Sequence, residues 1–427
     1  MKNGNLSLEE FNNLYGKSFC VKPFIEICND TANNVQLCCN SEIVLFEEER
    51  DGNTQRDIFF NHDVMTQIRM DMLHSKTNPI DACAKCVSSE PVIGTSMRLE
   101  SSNQLRKSNP ELFNSIVEQG TVNLKSLDIK FGNTCNMGCV MCTASNSSII
   151  SQERHDNPPP LALKNVWRVP KTVLIEFGAH ELEDLKRNAA DIRRFKTTGG
   201  EPMLLPGFKD WLRFLVESDY SKNIQVVVVT NGTVSSIPIL PLMGQFKKFI
   251  MVLSIDAVDE LTEYIRYPVK FPKLMNNHIT IHDAIVDNEN YIQTISLEIS
   301  TVMHVLNVHK IIDIFKYAEE HLPHINANGI EVVLASSPSG MEPGLIDADT
   351  FAQFKLSVEQ YNGKFINTVK DVFSMLESQY NELNNNIESK QLKLTQLRDM
   401  TKYWKHSRRL DVHDYVTTYT NTILQLN

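Results

Sequence analysis

The sequence predicts an α/β fold: an open, partial (β/α)6 barrel of the TIM type, with a small N-terminal cysteine-rich α+β domain and a helical C-terminal extension. Three observations lead there. Six strand-like runs between residues 127 and 334 alternate with amphipathic helical stretches, as parallel βαβ units require. One of these runs, 224–229, is nearly continuously apolar, the pattern of a strand buried on both faces. Polar or cysteine-bearing turns follow several of the runs, at the strand carboxyl ends where barrel folds keep their chemistry.

Leu127-Asp128-Ile129-Lys130-Phe131 alternates apolar and polar residues and reads as the first barrel strand, broken by Gly132-Asn133-Thr134. Residues 192–197, 224–229, 249–253, 295–302 and 330–334 supply the other five strands. Helices are expected at 179–190, 206–216, 276–286 and 309–320, with Trp211, Leu212 and Leu215 facing the core. Six units leave the barrel open on a side that could admit a large substrate. Upstream, Ser7 caps a short helix. Residues 24–28 and 35–39 form a hairpin turning at Asn33-Asn34, where Asn tolerates positive φ. Residues 63–75 form an amphipathic helix with Met65, Ile68, Met72 and Leu73 inward, and 102–120 a linking helix.

The expected domains are therefore 1–100 (cysteine-rich), 101–124 (linker helix), 125–340 (barrel) and 345–427 (helical extension). Residues 151–178, with Pro158-Pro159-Pro160, read as an irregular insertion over the active site. Residues 390–409 are basic and read as a solvated helix face, with a docking surface for an acidic partner as the alternative.

With 42% hydrophobic and 22% charged residues, the 427-residue chain is ordinary globular material. A net charge of −10 argues against bulk nucleic-acid binding. No apolar signal core follows Met1 and no run of about 18 apolar residues occurs, so no membrane span and a cytoplasmic location are expected.

Six of the nine cysteines lie between Cys20 and Cys86, three in Cys135-Asn136-Met137-Gly138-Cys139-Val140-Met141-Cys142, and none beyond. Such clustering in a large chain without a signal sequence favours metal ligation over disulfides. C-x3-C-x2-C suits a soft metal. Zinc would close the site with a fourth ligand, whereas a [4Fe–4S] cluster on three cysteines leaves one iron open to a substrate or cofactor. The array alone leaves both possibilities standing.

Together with Thr198-Gly199-Gly200-Glu201-Pro202 and Ser254-Ile255-Asp256, in that order, the array makes residues 125–335 resemble the radical S-adenosylmethionine (SAM) superfamily. The resemblance implies that Cys135, Cys139 and Cys142 hold a [4Fe–4S] cluster whose fourth iron binds SAM. It implies contacts from Gly199, Gly200 and Glu201 to the methionine amino group, and from Ser254 and an exposed Asp256 to the ribose, with helix capping as the alternative for Asp256. Met141 would lie against the adenine, where many relatives carry an aromatic residue. Asn231 is either a further SAM contact or a plain turn residue. One electron, from a flavodoxin- or ferredoxin-like donor, would cleave SAM and release a 5′-deoxyadenosyl radical. No catalytic residue can be nominated without a substrate. Tyr264-Ile265-Arg266-Tyr267-Pro268 resembles a stretch of peptide-modifying relatives and implies a peptide or protein substrate. A small molecule or sugar, or a non-enzymatic metal-stabilised binding module, are the alternatives. Arg266 reads as a structural ion pair or as a partner for the SAM carboxylate.

The N-terminal region resembles the superfamily members with a twitch-like domain, through Cys20, Pro23, Phe24, Cys38, Cys39, Cys83, Cys86, Glu90, Gly94, Ser96 and Arg98. This implies an auxiliary iron–sulfur cluster on Cys20, Cys38, Cys83 and Cys86, with zinc as the alternative. Cys39 can replace Cys38, since neighbours on a strand point to opposite faces. Asn34 and Leu37 depart from the Gly and Pro usual in the pattern, and Cys28 is an extra cysteine.

Overall fold

The computed structural model describes residues 5–75, 80–167, 169 and 172–416. The chain forms two compact units. The first comprises the chain up to Gly132 with Glu176–Gly199 and Pro206–Val226; the second comprises Asn133–Ile175, Gly200–Leu205 and the chain from Val227.

In the first unit, β1 (Glu26–Asn29), β2 (Val35–Gln36), β3 (Ile43–Leu45), β4 (Ser126–Asp128) and β5 (Arg194–Thr197) are hydrogen-bonded in the order β3-β2-β1-β4-β5. The expected hairpin is present: β1 and β2 pair antiparallel with Cys28 opposite Gln36, and Asn33 takes a φ of 61° in the turn. β1 then runs parallel to β4, and β4 parallel to β5. Phe24 lies outside the strand. It belongs to a helical turn, Lys22–Ile25, with Pro23 in its first turn, where the missing N–H leaves no bond unmade.

β4 stops at Asp128 instead of running to Phe131. Beyond it the side chain of Asn29 takes over as partner, accepting from Lys130 N–H at 2.8 Å and donating to its carbonyl at 3.3 Å. The expected helix at 102–120 is two helices, Met97–Ser108 and Pro110–Gln119. Pro110 cannot continue the first, and Asn109 caps the second by accepting from Leu112 N–H at 3.1 Å. The apolar face of this second helix joins a core of Phe11, Phe19, Phe24, Phe113 and Ile116, with Phe19 and Phe113 edge to face at 5.9 Å. Each such fully buried ring contributes about 1.5–3 kcal/mol.

β6 (Gln225–Thr230) begins in the first unit and ends in the second. In the second unit β7 (Lys248–Ser254), β8 (Ile295–Met303) and β9 (Ile330–Leu334) pair in parallel. Burial along β8 alternates over all nine residues, as its sequence predicts, with Ile295, Leu297, Ile299 and Thr301 inward. Its register with β7 places Ser254 beside Ser300 and brings Asp256 to the end of β8. All six strands expected between 127 and 334 are therefore present, in an α/β fold with parallel pairing. Trp211, Leu212 and Leu215 are buried on the Pro206–Glu217 helix as expected.

The C-terminal region is helical: Ala348–Gln360, Ile366–Asn385 and Ile387–Arg408. The last two are separated at Asn386, whose side chain accepts from Ser389 N–H at 3.1 Å. Residues 417–427 of the expected extension lie outside the described residues. Among the described residues no helix is long and apolar enough to cross a membrane.

Candidate active site

The cysteine loop is shaped by its backbone. Cys135 N–H donates to Ser148 Oγ at 3.1 Å, and Ser147 Oγ–H donates to the Met137 carbonyl at 2.6 Å. Gly138 N–H reaches the Tyr267 carbonyl at 2.6 Å and Val140 N–H the Ile265 carbonyl at 2.9 Å. Met137 and Val140 are buried, while Cys135, Cys139 and Cys142 are half-buried. Burial and then the neighbouring thiols push Cys135 up to about 11 and Cys142 up to about 12. Burial also raises Cys139, opposed by Arg266, whose Nη1 lies 3.9 Å from Cys139 Sγ. A metal bound here displaces the thiol protons. Among the described residues no three His, Cys, Asp or Glu side chains converge as a single-ion site. A [4Fe–4S] cluster does not ask for that, because three of its irons would each take one separate thiolate and the fourth would stay open.

The Gly-Gly-Glu turn is laid onto the residues before the first cysteine. Glu201 N–H donates to the Thr134 carbonyl at 2.8 Å, and Gly200 N–H to the Asn146 carbonyl at 3.1 Å. Gly200 has a φ of +55°, and a Cβ there would stand 2.4 Å from the Thr134 oxygen. Only glycine fits, by conformation and by space. Gly200→Ala is expected to cost about 1–3 kcal/mol, read as a lowered melting temperature. Gly199, with a φ of +77°, is likewise left-handed.

Glu201 is fully buried. Its carboxylate accepts from Thr230 Oγ1 at 2.7 Å, Asn231 N–H at 2.7 Å and Met203 N–H at 3.0 Å. Burial raises its pKa, and these three donors oppose the rise. Glu201 thus ties its turn to the end of β6. Asn231 accepts from Thr233 N–H at 2.9 Å, the turn role foreseen for it, and also donates to Asn136 Oδ1 of the cysteine loop at 2.9 Å.

Asp256 differs from its expectation. It is neither exposed nor a helix cap. It is fully buried, 2.6 Å from Arg266 Nη2, and accepts from Val302 N–H at 2.8 Å. Burial raises its pKa and Arg266 pulls it down. Arg266 accordingly forms the structural ion pair. Ser254 and Met141 are half-buried.

Asn307 was not foreseen. Fully buried, it donates to the carbonyls of Asp256 and Val302 at 2.9 Å each, joining the ends of β7 and β8. Its only sequence signal is its place just past a strand end. Two further stretches differ from what their sequence predicts. The 151–178 stretch is partly regular: Ser148–Asp156 is helical, and Trp167 is buried with its ring 5.1 Å from Tyr403 and 5.5 Å from Trp404. The basic 390–409 segment is not wholly a solvated face, since Lys393 pairs with Glu342 and Arg408 is buried.

In the first unit, Cys20, Cys38, Cys83 and Cys86 line one cavity, together with Lys22 and Arg98. Cys39 is not among its walls; its sulfur accepts from Lys196 Nζ at 3.6 Å. Cys28 also lies elsewhere, buried in β1. Arg98 is 2% exposed and forks onto both oxygens of Glu90 at 2.9 Å, while reaching the carbonyls of Gly16 at 3.3 Å and Phe19 at 3.2 Å. Ser96 Oγ–H donates to Glu90 at 2.7 Å, and Gly94 ends the Ala84–Ile93 helix in left-handed geometry. These four residues therefore frame the segment carrying Cys83 and Cys86 against the one carrying Cys20.

Three half-buried thiols on one loop, with a glycine-rich turn hydrogen-bonded beside them and a buried arginine next to one sulfur, offer the ligands that a soft metal centre takes in an α/β fold. Residues 129–318 match the Radical SAM superfamily, so the chain carries a radical SAM domain, an enzyme domain whose cofactors are a [4Fe–4S] cluster and SAM. The SAM-bound crystal structure of Streptococcus suis SuiB is similar at 13% identity over 60% of this chain and 49% of SuiB, with a TM-score of 0.35. SuiB bound to its precursor peptide SuiA matches at 14% identity over 71% and 61%, with a TM-score of 0.36. TYW1 with a lysine-pyruvate adduct matches at 14% identity over 54% and 71%, with a TM-score of 0.30. The matches thus span about half to three fifths of SuiB's own length. No curated protein matches the chain.

Proposed function

We propose that the protein reductively cleaves SAM at a [4Fe–4S] cluster held by Cys135, Cys139 and Cys142, and uses the resulting 5′-deoxyadenosyl radical to modify a peptide or protein side chain. The observation that carries this reading is the C-x3-C-x2-C loop, inside the matched domain, with the Gly-Gly-Glu turn hydrogen-bonded to Thr134. The donor set fits the cluster: three half-buried thiols, with the Arg266 guanidinium beside Cys139 to favour the thiolate. A bound cluster supplies the electron and an open iron for the amino and carboxylate groups of SAM.

The chain's own residues divide the remaining work. Gly199 and Gly200 bring the backbone close to the methionine end of SAM, because neither carries a Cβ. Ser254, Asn231 and Met141 are the proposed contacts to the nucleoside. Glu201 and Asp256, both fully buried and paired, act behind that layer as struts. Cys20, Cys38, Cys83 and Cys86 hold the auxiliary cluster of an N-terminal twitch-like domain, in preference to Cys39, supported by the cavity the four line. The domain limits proposed are 1–100, 101–124, 125–340 and 345–427. The Tyr264-Ile265-Arg266-Tyr267-Pro268 stretch favours a peptide substrate. A flavodoxin- or ferredoxin-like protein of the cytoplasm is the proposed electron donor. Anaerobic incubation of the reconstituted protein with SAM and a low-potential reductant is expected to yield methionine and 5′-deoxyadenosine. Absence of 5′-deoxyadenosine from protein with its full complement of iron and sulfide would sink the reading.

A further inference from the structure

Arg408 ends the Ile387–Arg408 helix, some 270 residues along the chain from the cysteine loop, yet it touches that loop directly. Its Nη1 donates to the Gly138 carbonyl at 2.6 Å. Its Nε and Nη2 donate to the two oxygens of Glu153, at 2.8 Å and 2.7 Å. Glu153 lies on the Ser148–Asp156 helix that follows the loop, and Ser407 Oγ–H donates to it as well, at 2.6 Å. The Arg408 side chain is only 3% exposed, over the rings of Tyr267 and Trp404.

The Gly138 peptide, one residue before Cys139, is thus gripped from both sides. Its N–H goes to the Tyr267 carbonyl and its C=O to Arg408. A planar guanidinium can serve a carbonyl and a carboxylate at once, which an ammonium cannot do with the same geometry. Cys139, Cys142, Glu153, Trp404 and Arg408 also line one cavity. The guanidinium, paired with Glu153, thus borders the same cavity as two of the cysteines that would carry the cluster's negative charge.

We propose that Arg408, delivered by the C-terminal helix, is a positioning residue for the metal-binding loop, locking the middle of the C-x3-C-x2-C segment to Glu153 and stabilising the reduced, more negative cluster. This rests on the proposed function, since it presupposes a cluster on Cys135, Cys139 and Cys142. Groups that orient metal ligands from outside the coordination sphere typically matter by about 10- to 100-fold in metal affinity.

The test uses the full chain, reconstituted anaerobically, as wild type, Arg408→Gln and Arg408→Lys. The reduced-cluster EPR signal that shifts on adding SAM identifies the cluster concerned. Two quantities are read from it: its rate of loss to an iron chelator, and its midpoint potential. Arg408→Gln is expected to lose the signal about tenfold faster and to titrate at a more negative potential. Arg408→Lys keeps the charge without the fork, so it is expected to lose the signal faster while titrating near the wild type. Arg408→Gln matching the wild type in both readings overturns the proposal. Should Arg408→Gln fail to fold, a folded Arg408→Lys with the wild-type chelation rate overturns it equally. A wild type with no SAM-responsive signal instead ends the radical SAM reading itself, and that result is recognised before any variant is compared.

Discussion

Replacing Cys135, Cys139 and Cys142 together by alanine is expected to lower bound iron from about eight atoms per chain to about four, since each cubane carries four. Acid-labile sulfide should fall in parallel, and 5′-deoxyadenosine formation should cease. The variant should still fold. The loop's shape rests on Ser147, Ser148 and the carbonyls of Tyr267 and Ile265, and no thiol takes part in those bonds. The remaining iron is assigned to Cys20, Cys38, Cys83 and Cys86, whose cavity is built entirely from first-unit residues. A wild type with about four irons, falling to none, would keep the enzyme and leave the N-terminal cysteines to zinc or to no metal. Zinc without sulfide in both proteins would end the radical SAM reading and favour a metal-stabilised binding module.

The strands were legible because their signal is local. Burial alternates along β8 as its residues do, and residues 330–334 form β9 as expected. Strand β4 came out shorter because its limit is set by a distant side chain, Asn29, which no reading of residues 127–131 contains. The same division runs through the site. Cys135, Cys139, Cys142 and the two glycines announce themselves by spacing and residue type. Asp256 is buried where exposure is expected, because a carboxylate after a strand looks exposed until its partner is known. That partner, Arg266, arrives from the end of the next helix. Arg408 was hidden more deeply. It sits in a basic run whose bland reading is a solvated face, and its burial follows from packing over Tyr267 and Trp404 rather than from charge pattern. Residues that hold a loop in place lie far from it in sequence, so spacing cannot find them.

Asp256→Ala is expected to destabilise the protein by about 3–5 kcal/mol, a melting-temperature drop on the order of 10 °C. The cause is the charge left behind. Arg266, 7% exposed at its side chain, loses its carboxylate in a place water does not reach. The Val302 N–H at the end of β8 loses its acceptor as well. Replacing both members of the pair, as in Asp256→Ala with Arg266→Met, should cost less than Asp256→Ala alone, because no charge is then stranded. The comparison separates two roles for the same carboxylate. A strut predicts the stability loss and its partial rescue by the double change. A direct ribose contact, as first expected for an exposed carboxylate, predicts near wild-type melting of Asp256→Ala with SAM binding alone weakened. Because Arg266 Nη1 also lies 3.9 Å from Cys139 Sγ, the strut has a second consequence. An arginine released from Asp256 no longer holds its charge beside that thiolate, so Asp256→Ala should also bind iron less firmly than the wild type, without any change to a cysteine.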